Sequence, residues 1–443
     1  MPTTYRPYEP DQLLLLPPSL KEWLPEGHLA WFISDAIDTL DLTRFHARYV
    51  GDGRRCQPYD PSMMVKVLVY AYASGVFSSR KIARGLEQDV ALRVLGAGNF
   101  PSHRTLRAFR RWHLAEFSAL LVQVVQLARE AGLVKLGQLG IDGTKVKANA
   151  SKRKAMSYGR MRERERQLKA EIAALTEAAE DQDATEDKAY GKAHRGDELP
   201  QELSRREARL SAIQAAKARL EARQREQDRE DGRHVDDEGN TRGPGGGICK
   251  RTLGVPEDKM QDNFTDPQSR IMKTANGFDQ CYNAQAAVDG DSQLIVATEV
   301  TASGTDSPYL VPMVEAAQQN TGLLPAMTLA DAGYASEANF AALEALSAPA
   351  CVAQAREGGK VRAIDPLRHP ASARMAERMA TPQGQADYRR RKVIPEPVFG
   401  WIKQAMGFRQ FSVRGLAPVS GEWNLVCLAL NLRRLHRLGW TTA

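Results

Sequence analysis

Apolar and polar positions follow three patterns along the chain, and each pattern predicts a different kind of structure. Up to about residue 130 the apolar positions are spaced as they are on helices. The run 61–76 is apolar enough for a buried helix that begins at a proline, and residues 80–89 and 104–114 each follow a serine that can cap a helix. These features predict an all-α N-terminal domain over residues 1–130.

The second pattern, over residues 152–265, is dense in Ala, Glu, Arg and Lys and carries a narrow apolar seam. The seam positions are Leu168, Ile172, Leu175, Leu203, Leu210, Ile213 and Leu220. Their spacing predicts two long helices, which the polar stretch 181–200 would join as an antiparallel hairpin. Residues 239–247 are rich in glycine and predict a flexible linker. We interpret 152–265 as an insertion, because β-rich sequence resumes directly after it.

The third pattern, over 136–151 and 266–443, alternates as strands do and is interrupted by helical segments. Residues 277–289 and 293–302 predict two strands joined by a Gly-Asp turn. The further elements predicted in chain order are a helix at 306–319, a strand at 327–331, a helix at 336–346, a strand at 350–354, a helix from about Pro397 and a helix at 422–438. This order predicts an α/β domain with a mixed central sheet.

The net charge of the chain is small, but its location is informative. The 443 residues carry a formal charge of +7 with a pI of about 9.1, which is only a weak indication of polyanionic partners. The insertion 152–265 holds 24 basic and 24 acidic residues, whereas 388–443 holds 10 basic and 2 acidic residues. The excess of positive charge is therefore concentrated towards the C-terminus.

Composition excludes several classes of protein. A hydrophobic fraction of 42% is ordinary for a globular chain, so a disordered or fibrous protein is excluded. No apolar run approaches the roughly 18–20 residues of a membrane span, and the N-terminus lacks the pattern of a signal peptide. The cysteines have no paired spacing, which argues against a zinc ribbon and predicts a cytoplasmic location. They are Cys56, Cys249, Cys281, Cys351 and Cys427.

Basic residues cluster on the helices predicted at 80–89 and 104–114. The eight members are Arg80, Lys81, Arg84, Arg93, Arg104, Arg107, Arg110 and Arg111. Helices joined by short turns, with basic side chains on one of them, suit a helix-turn-helix-like DNA-binding module. The alternative is a solvated face of a helical bundle. The candidate DNA contacts are Arg104, Arg107, Arg110 and Arg111.

Two aspartates, Asp142 and Asp331, each end a short apolar strand in the pattern. Sites in α/β sheets assemble at the carboxyl ends of strands, so the two side chains are expected to lie close together. With a third carboxylate they could chelate a pair of Mg²⁺ ions for an in-line phosphoryl displacement. Either aspartate taken alone is more often a turn or cap residue.

Glu396 is the third candidate carboxylate. Pro395 and Pro397 bracket it, so a helix is expected to begin there with Glu396 in its first turn, where the helix dipole favours an ionised carboxylate. Lys403 follows about two turns later on the same face. A basic run precedes the glutamate. The segment therefore offers a metal ligand and a phosphate clamp; the alternative is an ordinary surface helix.

Other phosphoryl-transfer chemistries fit the sequence less well. The motif Ile-Asp-Gly-Thr around Asp142 superficially suggests an aspartate-nucleophile phosphotransferase. That mechanism needs a second aspartate two residues away, where Gly140 and Thr144 stand instead. No phosphate-binding GxxxxGK[ST] loop occurs, which excludes an ATP-driven motor, and the histidines have no zinc-binding spacing.

The three acidic segments resemble those of bacterial DDE insertion-sequence transposases. They are most similar to the IS1182-type branch of the IS4/IS5 superfamily. They read GIDGTKVKANAS, LADAGYAS and YRRRKVIPEPVFGWIK. The last is similar to the superfamily's Tyr-x2-Arg-x3-Glu-x6-Lys signature, and the matching residues are Tyr388, Arg391, Glu396 and Lys403. Four residues rather than three separate Arg391 from Glu396, so Lys392 could instead fill the basic place. Residues 59–82, 100–113 and 269–289 resemble other parts of these transposases.

The resemblance implies an RNase H-like catalytic core whose first strand ends in Asp142 and whose fourth ends in Asp331, with the insertion between its first two strands. It implies that Asp142, Asp331 and Glu396 ligate two Mg²⁺ ions, with Mn²⁺ as a substitute. Tyr388, the basic residue at 391 or 392, and Lys403 would contact DNA near the scissile phosphate.

The activity implied by the resemblance is DNA transposition. The enzyme would bind double-stranded terminal inverted repeats, cleave the ends of the element and join the freed 3′-hydroxyl to target DNA. It would act as a homodimer on the bacterial nucleoid, with the N-terminal helices reading the repeats and the insertion covering the site, contacting DNA or dimerising. The alternative is a catalytically inactive relic that only binds DNA.

Overall fold

The computed structural model describes residues 19–49, 57–190, 198–355 and 364–441, apart from positions 237, 244, 246, 250 and 276. The start of the chain, Cys56 and the side chain of Leu203 lie outside this description. None of the helices in these ranges is long and apolar enough to cross a membrane.

The N-terminal part of the described chain is helical, as the pattern predicts. Its helices are α1 (Leu29–Asp38), α2 (Thr43–His46), α3 (Pro61–Ala73), α4 (Ser79–Gln88), α5 (Val90–Leu95), α6 (His103–Trp112) and α7 (Leu114–Glu130). Asp60 caps α3 by accepting a hydrogen bond from the Met63 amide, and Ser102 caps α6 in the same way through Thr105. The buried faces of these helices belong to the same continuous hydrophobic core as the central sheet.

The middle of the chain contains the first core strand and the insertion. Its elements are β1 (Leu139–Lys147), β2 (Ala155–Ser157), α8 (Tyr158–Tyr190), α9 (Glu198–Glu230), β3 (His234–Val235), β4 (Thr241–Arg242) and β5 (Gln261–Asn263). Helices α8 and α9 form the predicted hairpin, and β2 pairs with β5 at its base. The predicted linker 239–247 is only partly irregular, because β4 pairs with β3 and Arg242 bridges to Ile248.

The seam of the insertion forms a small hydrophobic core of its own. Leu168 on α8 is buried against Ile213, Ala216 and Leu220 on α9, and this cluster is separate from the main core. Four residues of the predicted seam, Leu168, Leu210, Ile213 and Leu220, therefore pack against each other within one chain.

The C-terminal part completes the sheet. Its elements are β6 (Arg270–Thr274), β7 (Gly277–Asp289), β8 (Ile295–Thr301), α10 (Leu310–Thr321), β9 (Thr328–Ala330), α11 (Glu337–Ala345), β10 (Ala350–Val352), α12 (Pro370–Ala380), α13 (Pro382–Arg390), α14 (Pro395–Gly400) and α15 (Leu416–Arg437). The predicted strands and helices are present, and β6, α12 and α13 are additional. Helices α12 and α13 lie in a polar segment, in which few apolar residues mark a buried face.

The central sheet is mixed. Strands follow the order β10–β9–β1–β7, and β6 and β8 pair with different stretches of the other edge of β7. Strand β9 is parallel to both β1 and β10, whereas β7 is antiparallel to its three neighbours. Helix α15 packs against β8 and against α3 and α7, so it joins the N-terminal helices to the sheet.

The expectation that the first strand ends at Asp142 is wrong. Strand β1 continues to Lys147, because all nine of its residues pair with β7. Only its first two residues pair with β9, where Leu139 lies beside Thr328 and Gly140 beside Leu329. Asp142 therefore lies within a strand, but at the point where the parallel neighbour has ended.

Candidate active site at the edge of the sheet

The register of the sheet brings two of the predicted carboxylates together. Since Gly140 pairs with Leu329 in the parallel pair, two further residues along each strand give Asp142 and Asp331. Adjacent strands lie about 4.8 Å apart, so the two residues start from neighbouring backbone positions. Asp331 follows β9 directly and caps a short 3-10 turn by accepting a hydrogen bond from the Gly333 amide at 2.8 Å. The strand-end argument thus holds for the pair, although β1 itself continues.

Glu396 lies in the first turn of α14, as predicted. The start of this helix rests on β1, where a Cβ at Gly140 would come within 2.9 Å of the Pro395 ring. Only a glycine two residues before Asp142 allows that approach. The Glu396 side chain is 53% exposed, and its carboxylate lies 4.0 Å from the guanidinium of Arg391.

Arg391 occupies the space between the acidic residues and an aromatic ring. Its side chain is only 12% exposed, and its charge acts on Asp142 as well as pairing with Glu396. The guanidinium carbon lies 5.7 Å from the centre of the Tyr388 ring, within cation–π range. In this structure Arg391 therefore faces the carboxylates, while Lys392 on the same short turn is exposed.

Lys403 contacts the same strand, but a π-turn and not a regular α-helix sets its position. Helix α14 ends at Gly400 and continues as a π-turn over Trp401–Ala405, closed by a bond from the Met406 amide to the Trp401 carbonyl. Such π-turns recur at functional sites. The ammonium donates to Thr144 Oγ1 at 2.5 Å and to the Lys145 carbonyl at 3.1 Å, so it is anchored to β1 just beyond Asp142.

Burial shifts the pKa of two charged groups in the cluster. The pKa of the Asp142 carboxyl is raised to about 6, mainly by burial and also by the charges of Asp331 and Asp306, while the Gly143 amide and Arg391 act to lower it. Burial also lowers the pKa of the Lys403 ammonium, while the charge of Asp142 opposes that shift. Burial thus disfavours the charged forms of both Asp142 and Lys403.

Asp306 is a member of this cluster that sequence reasoning missed. Its Oδ1 accepts hydrogen bonds from Asn283 at 2.6 Å and from Gln285 at 2.7 Å, both on β7, and lies 3.4 Å from the Lys145 ammonium. The sequence signal for Asp306 was weak, because it stands five residues after the end of β8 at Thr301, whereas Asp331 follows β9 directly. It was obscured because the same residue also begins the predicted helix at 306–319.

Three of the four DNA contacts predicted on α6 are exposed to solvent. Arg104, Arg107 and Arg111 are exposed, on the side of α6 opposite its buried Leu106 and Phe109. Arg110 is wrong as a DNA contact, because it is buried. Its guanidinium donates to the Tyr72 hydroxyl at 2.7 Å and to the Phe77 carbonyl at 2.9 Å, and lies 3.8 Å from Glu422.

The chemistry of the acidic residues fits Mg²⁺, which takes oxygen ligands, and the charge of Asp331 contributes, after burial, to the raised pKa of Asp142. The geometry is less complete. Within the described ranges no three acidic, histidine or cysteine side chains lie close enough to hold an ion, since Glu396 faces Arg391. Asp142 and Asp331 fit as a pair of ligands, and Glu396 would have to turn towards them.

Two family models match parts of the chain. Residues 250–432 match the family described as Transposase DDE domain, and residues 18–112 match the one described as Transposase domain (DUF772). The first match contains Asp331 and Glu396, and the second contains α6. No curated protein and no solved structure gave a significant match.

The two matched domains occur together in insertion-sequence transposases of the IS1182 family. The DDE domain is that of an enzyme of DNA transposition, and such enzymes normally use a divalent metal ion. The chain therefore carries two transposase domains, in a pairing typical of insertion-sequence transposases.

Proposed function

We propose that this transposase binds the terminal inverted repeats of its element, cleaves the ends and joins the freed 3′-hydroxyl to target DNA. The observation that carries the proposal is the sheet register, which sets Asp142 beside Asp331 on neighbouring strands. Helix α14, with Glu396 in its first turn, rests on the same stretch of β1. The three segments that carry these carboxylates span 254 positions of the sequence and meet at one stretch of β1, where Glu396 would have to turn to join the two aspartates.

We assign the catalytic core to the RNase H-like fold. The support is the strand order β8–β7–β1–β9–β10, in which the first three strands along the chain are antiparallel and the last two are parallel to β1. If β6 is counted as an addition at the edge, Asp331 follows the fourth strand of this core. The insertion enters between β1 and β7, as the resemblance implies.

Asp142, Asp331 and Glu396 are the proposed ligands of two Mg²⁺ ions, with Mn²⁺ as an alternative. When bound, the metal supplies activation of the attacking water or 3′-hydroxyl and stabilisation of the leaving oxygen. For Glu396 to take part, its carboxylate must leave Arg391, whose guanidinium would then be available to a DNA phosphate. Arg391 is thus proposed to neutralise the site before DNA binds and to contact the backbone afterwards.

The other proposed contacts differ in how firmly the protein holds them. Lys403 is fixed to β1 by two hydrogen bonds, so it would present a preorganised positive charge beside the scissile phosphate. Tyr388 is half-buried beside Arg391, and Lys392 is exposed on the adjoining turn. These residues would position the duplex without reading its sequence, because phosphate contacts carry no sequence information.

Sequence recognition is assigned to the N-terminal helices. The exposed Arg104, Arg107 and Arg111 lie on one helix whose inner face is fixed in the core, which is the arrangement a DNA-reading helix needs. Double-stranded DNA is therefore the proposed partner, at both the element ends and the target. A homodimer on DNA would allow the two ends to be processed together.

The test is cleavage of an end-labelled duplex that carries the repeat flanking the coding sequence in its source DNA, in the presence of Mg²⁺. Wild type is expected to nick at the repeat boundary, whereas Asp331→Asn should bind with unchanged affinity and cut at least ~10³-fold more slowly, since a metal ligand is lost. Replacing Arg104, Arg107 and Arg111 together by Ala should instead weaken binding and reduce its salt dependence.

Two outcomes would change the proposal. Equal cutting by wild type and Asp331→Asn would overturn the catalytic assignment. Repeat-specific binding by wild type without any cutting, under Mg²⁺ or Mn²⁺, would favour the alternative of an inactive DNA-binding relic.

A further inference from the structure

Asp306 is the acidic residue of the cluster to which the proposed function gives no role. Its Oδ1 accepts hydrogen bonds from the side-chain amides of Asn283 at 2.6 Å and Gln285 at 2.7 Å. Both amides are fully buried on β7, so they have no access to water as an alternative partner. Lys145 on β1 adds an ion pair at 3.4 Å. One carboxylate oxygen is thus held by donors from the two central strands.

Strand β1 is shaped to admit this carboxylate next to Asp142. Gly143 lies opposite Gln285 in the antiparallel pair. A Cβ at Gly143 would come 2.8 Å from Asp306 Oδ1 and 2.4 Å from Gln285 Nε2, closer than real Cβ atoms approach such groups. The glycine that follows Asp142 therefore leaves the space in which Asp306 lies.

The other oxygen of Asp306 faces the loop that carries Asp331. The position of a Cβ on Gly333 would be 2.9 Å from Asp331 Oδ1 and 3.4 Å from Asp306 Oδ2, so both carboxylates border one small volume. The hydroxyl of Tyr334, in the same loop, donates to Gln285 Oε1. Gln285 thereby connects Asp306 to the Asp331 loop through a buried hydrogen-bond chain.

These contacts tie two separate parts of the chain to one side chain. Lys145 and Gly143 belong to the strand of Asp142, whereas Gln285 and Tyr334 lead to the loop of Asp331. The charge of Asp306 also acts on both Asp142 and Tyr334. A change at Asp306 should therefore alter the position of Asp142 relative to Asp331.

We propose that Asp306 is a positioning residue of the active site, which holds the strand of Asp142 and the loop of Asp331 in the relation that metal uptake requires. The inference rests on the proposed function, because it assigns the two aspartates as metal ligands. Outer partners of metal ligands typically change metal affinity or activity by roughly 10- to 100-fold when they are replaced.

The test compares Asp306→Asn with Asp279→Asn in the full chain. Asp279 is a matched control, because it pairs with Lys147 at 3.0 Å on the same two strands but away from the carboxylate cluster. Asp306→Asn should lower the rate of end cleavage by roughly 10- to 100-fold and raise the Mg²⁺ concentration for half-maximal rate. Its affinity for repeat DNA should stay unchanged, and Asp279→Asn should match wild type in all three measurements.

A second variant moves the carboxylate without replacing it. In Gly143→Ala the new methyl group would displace Asp306 and Gln285, so the same rise in Mg²⁺ requirement is expected. Melting temperatures of the variants identify any that fail to fold. Should Asp306→Asn fail to fold, Asp306→Glu, which keeps the charge and shifts the oxygens, takes its place.

The outcomes separate the inference from the proposed function. Cleavage and Mg²⁺ dependence of Asp306→Asn equal to those of Asp279→Asn would overturn the positioning role. If wild type cuts no repeat DNA, the proposed function fails, and calorimetric titration of the proteins with Mg²⁺ alone still decides the inference. Equal Mg²⁺ affinity of wild type and Asp306→Asn would then overturn it, and weaker affinity in the variant would support it.

Discussion

At the scale of single residues, the ionised carboxylate of Asp142 is expected to destabilise the folded protein, because it is buried. Asp142 lies on a central strand, and burial together with the charge of Asp331 makes its ionised form unfavourable there. Carboxylates placed for function commonly carry such a cost, because the same geometry that binds a cation brings like charges together in its absence. Two glycines beside it, Gly140 and Gly143, admit Pro395 and Asp306 to the strand. The size of the side chains next to Asp142 is therefore limited by packing, in addition to the constraints of charge.

The first prediction is a pH-dependent gain in stability for Asp142→Asn. The folded-state pKa of about 6 lies above the ordinary value of 3.8, so the stability that the protonated group contributes is present below pH ~4 and is lost as pH rises through 6. Without divalent metal, the variant should exceed wild type by up to about 3 kcal/mol at pH 7.5. Urea unfolding in a chelator at pH 4 and pH 7.5 measures this. A difference that is the same at both pH values would contradict the prediction.

At the scale of elements, a buried polar network fixes α6 against α15. Glu422, fully buried near the start of α15, accepts hydrogen bonds from the Tyr72 hydroxyl at 2.9 Å and from the Ser412 amide at 2.7 Å. Arg110 completes the network from α6. Because Phe411 next to Ser412 is hydrogen-bonded to Lys147 at the end of β1, the helix proposed to read DNA is connected to the catalytic strand.

The second prediction concerns this network. Arg110→Ala leaves a buried carboxylate without its cation and should lower the free energy of unfolding by about 3–5 kcal/mol, whereas removing both charges in Arg110→Met with Glu422→Leu should cost much less. Arg111→Ala is the control on the exposed face of the same helix and should change stability by no more than about 0.5 kcal/mol. Urea unfolding compares the variants. Equal losses for Arg110→Ala and Arg111→Ala would show that the network contributes nothing.

At the scale of the whole molecule, the described chain has two hydrophobic cores of very different size. The main core is one continuous cluster that contains residues of the N-terminal helices, of both faces of the sheet and of α15, but none of α8 or α9. The insertion has only a small cluster around Leu168 and Ile213. Its base is closed by the β2–β5 pair and by Arg219 and Arg223, which form ion pairs with the buried Asp262. A unit with so small a core should open locally without unfolding the rest.

The third prediction tests this independence. Leu168→Ala should increase hydrogen exchange across α8 and α9 and leave the exchange of β1 and β7 unchanged, because its contacts lie within the insertion. Leu329→Ala is the matched control in the main core and should destabilise the sheet by about 2–5 kcal/mol. Faster exchange in β1 or β7 of Leu168→Ala would show that the two cores unfold together.

Local patterns were enough to predict most elements. Strand β7 spans the predicted residues 277–289, and α3 lies within the predicted 61–76, because alternation and helical periodicity record which face of an element is buried. Helices α12 and α13 were missed, since they bury only a few side chains and their sequence is polar. The end of β1 was misplaced because pairing with β7, and not the apolar run, decides how far that strand extends.

The amino-acid sequence by itself determined the order of elements, the hairpin insertion and the three acidic segments that resemble a DDE transposase. Only the tertiary structure decided which polar side chains share a volume. It buried Arg110 but not Arg111, brought Asp306 to Asp142, and turned Arg391 towards Glu396. The physical reason is that periodicity reports the burial of apolar faces within one element, whereas the partner of a charged group is set by contacts between residues far apart in the chain.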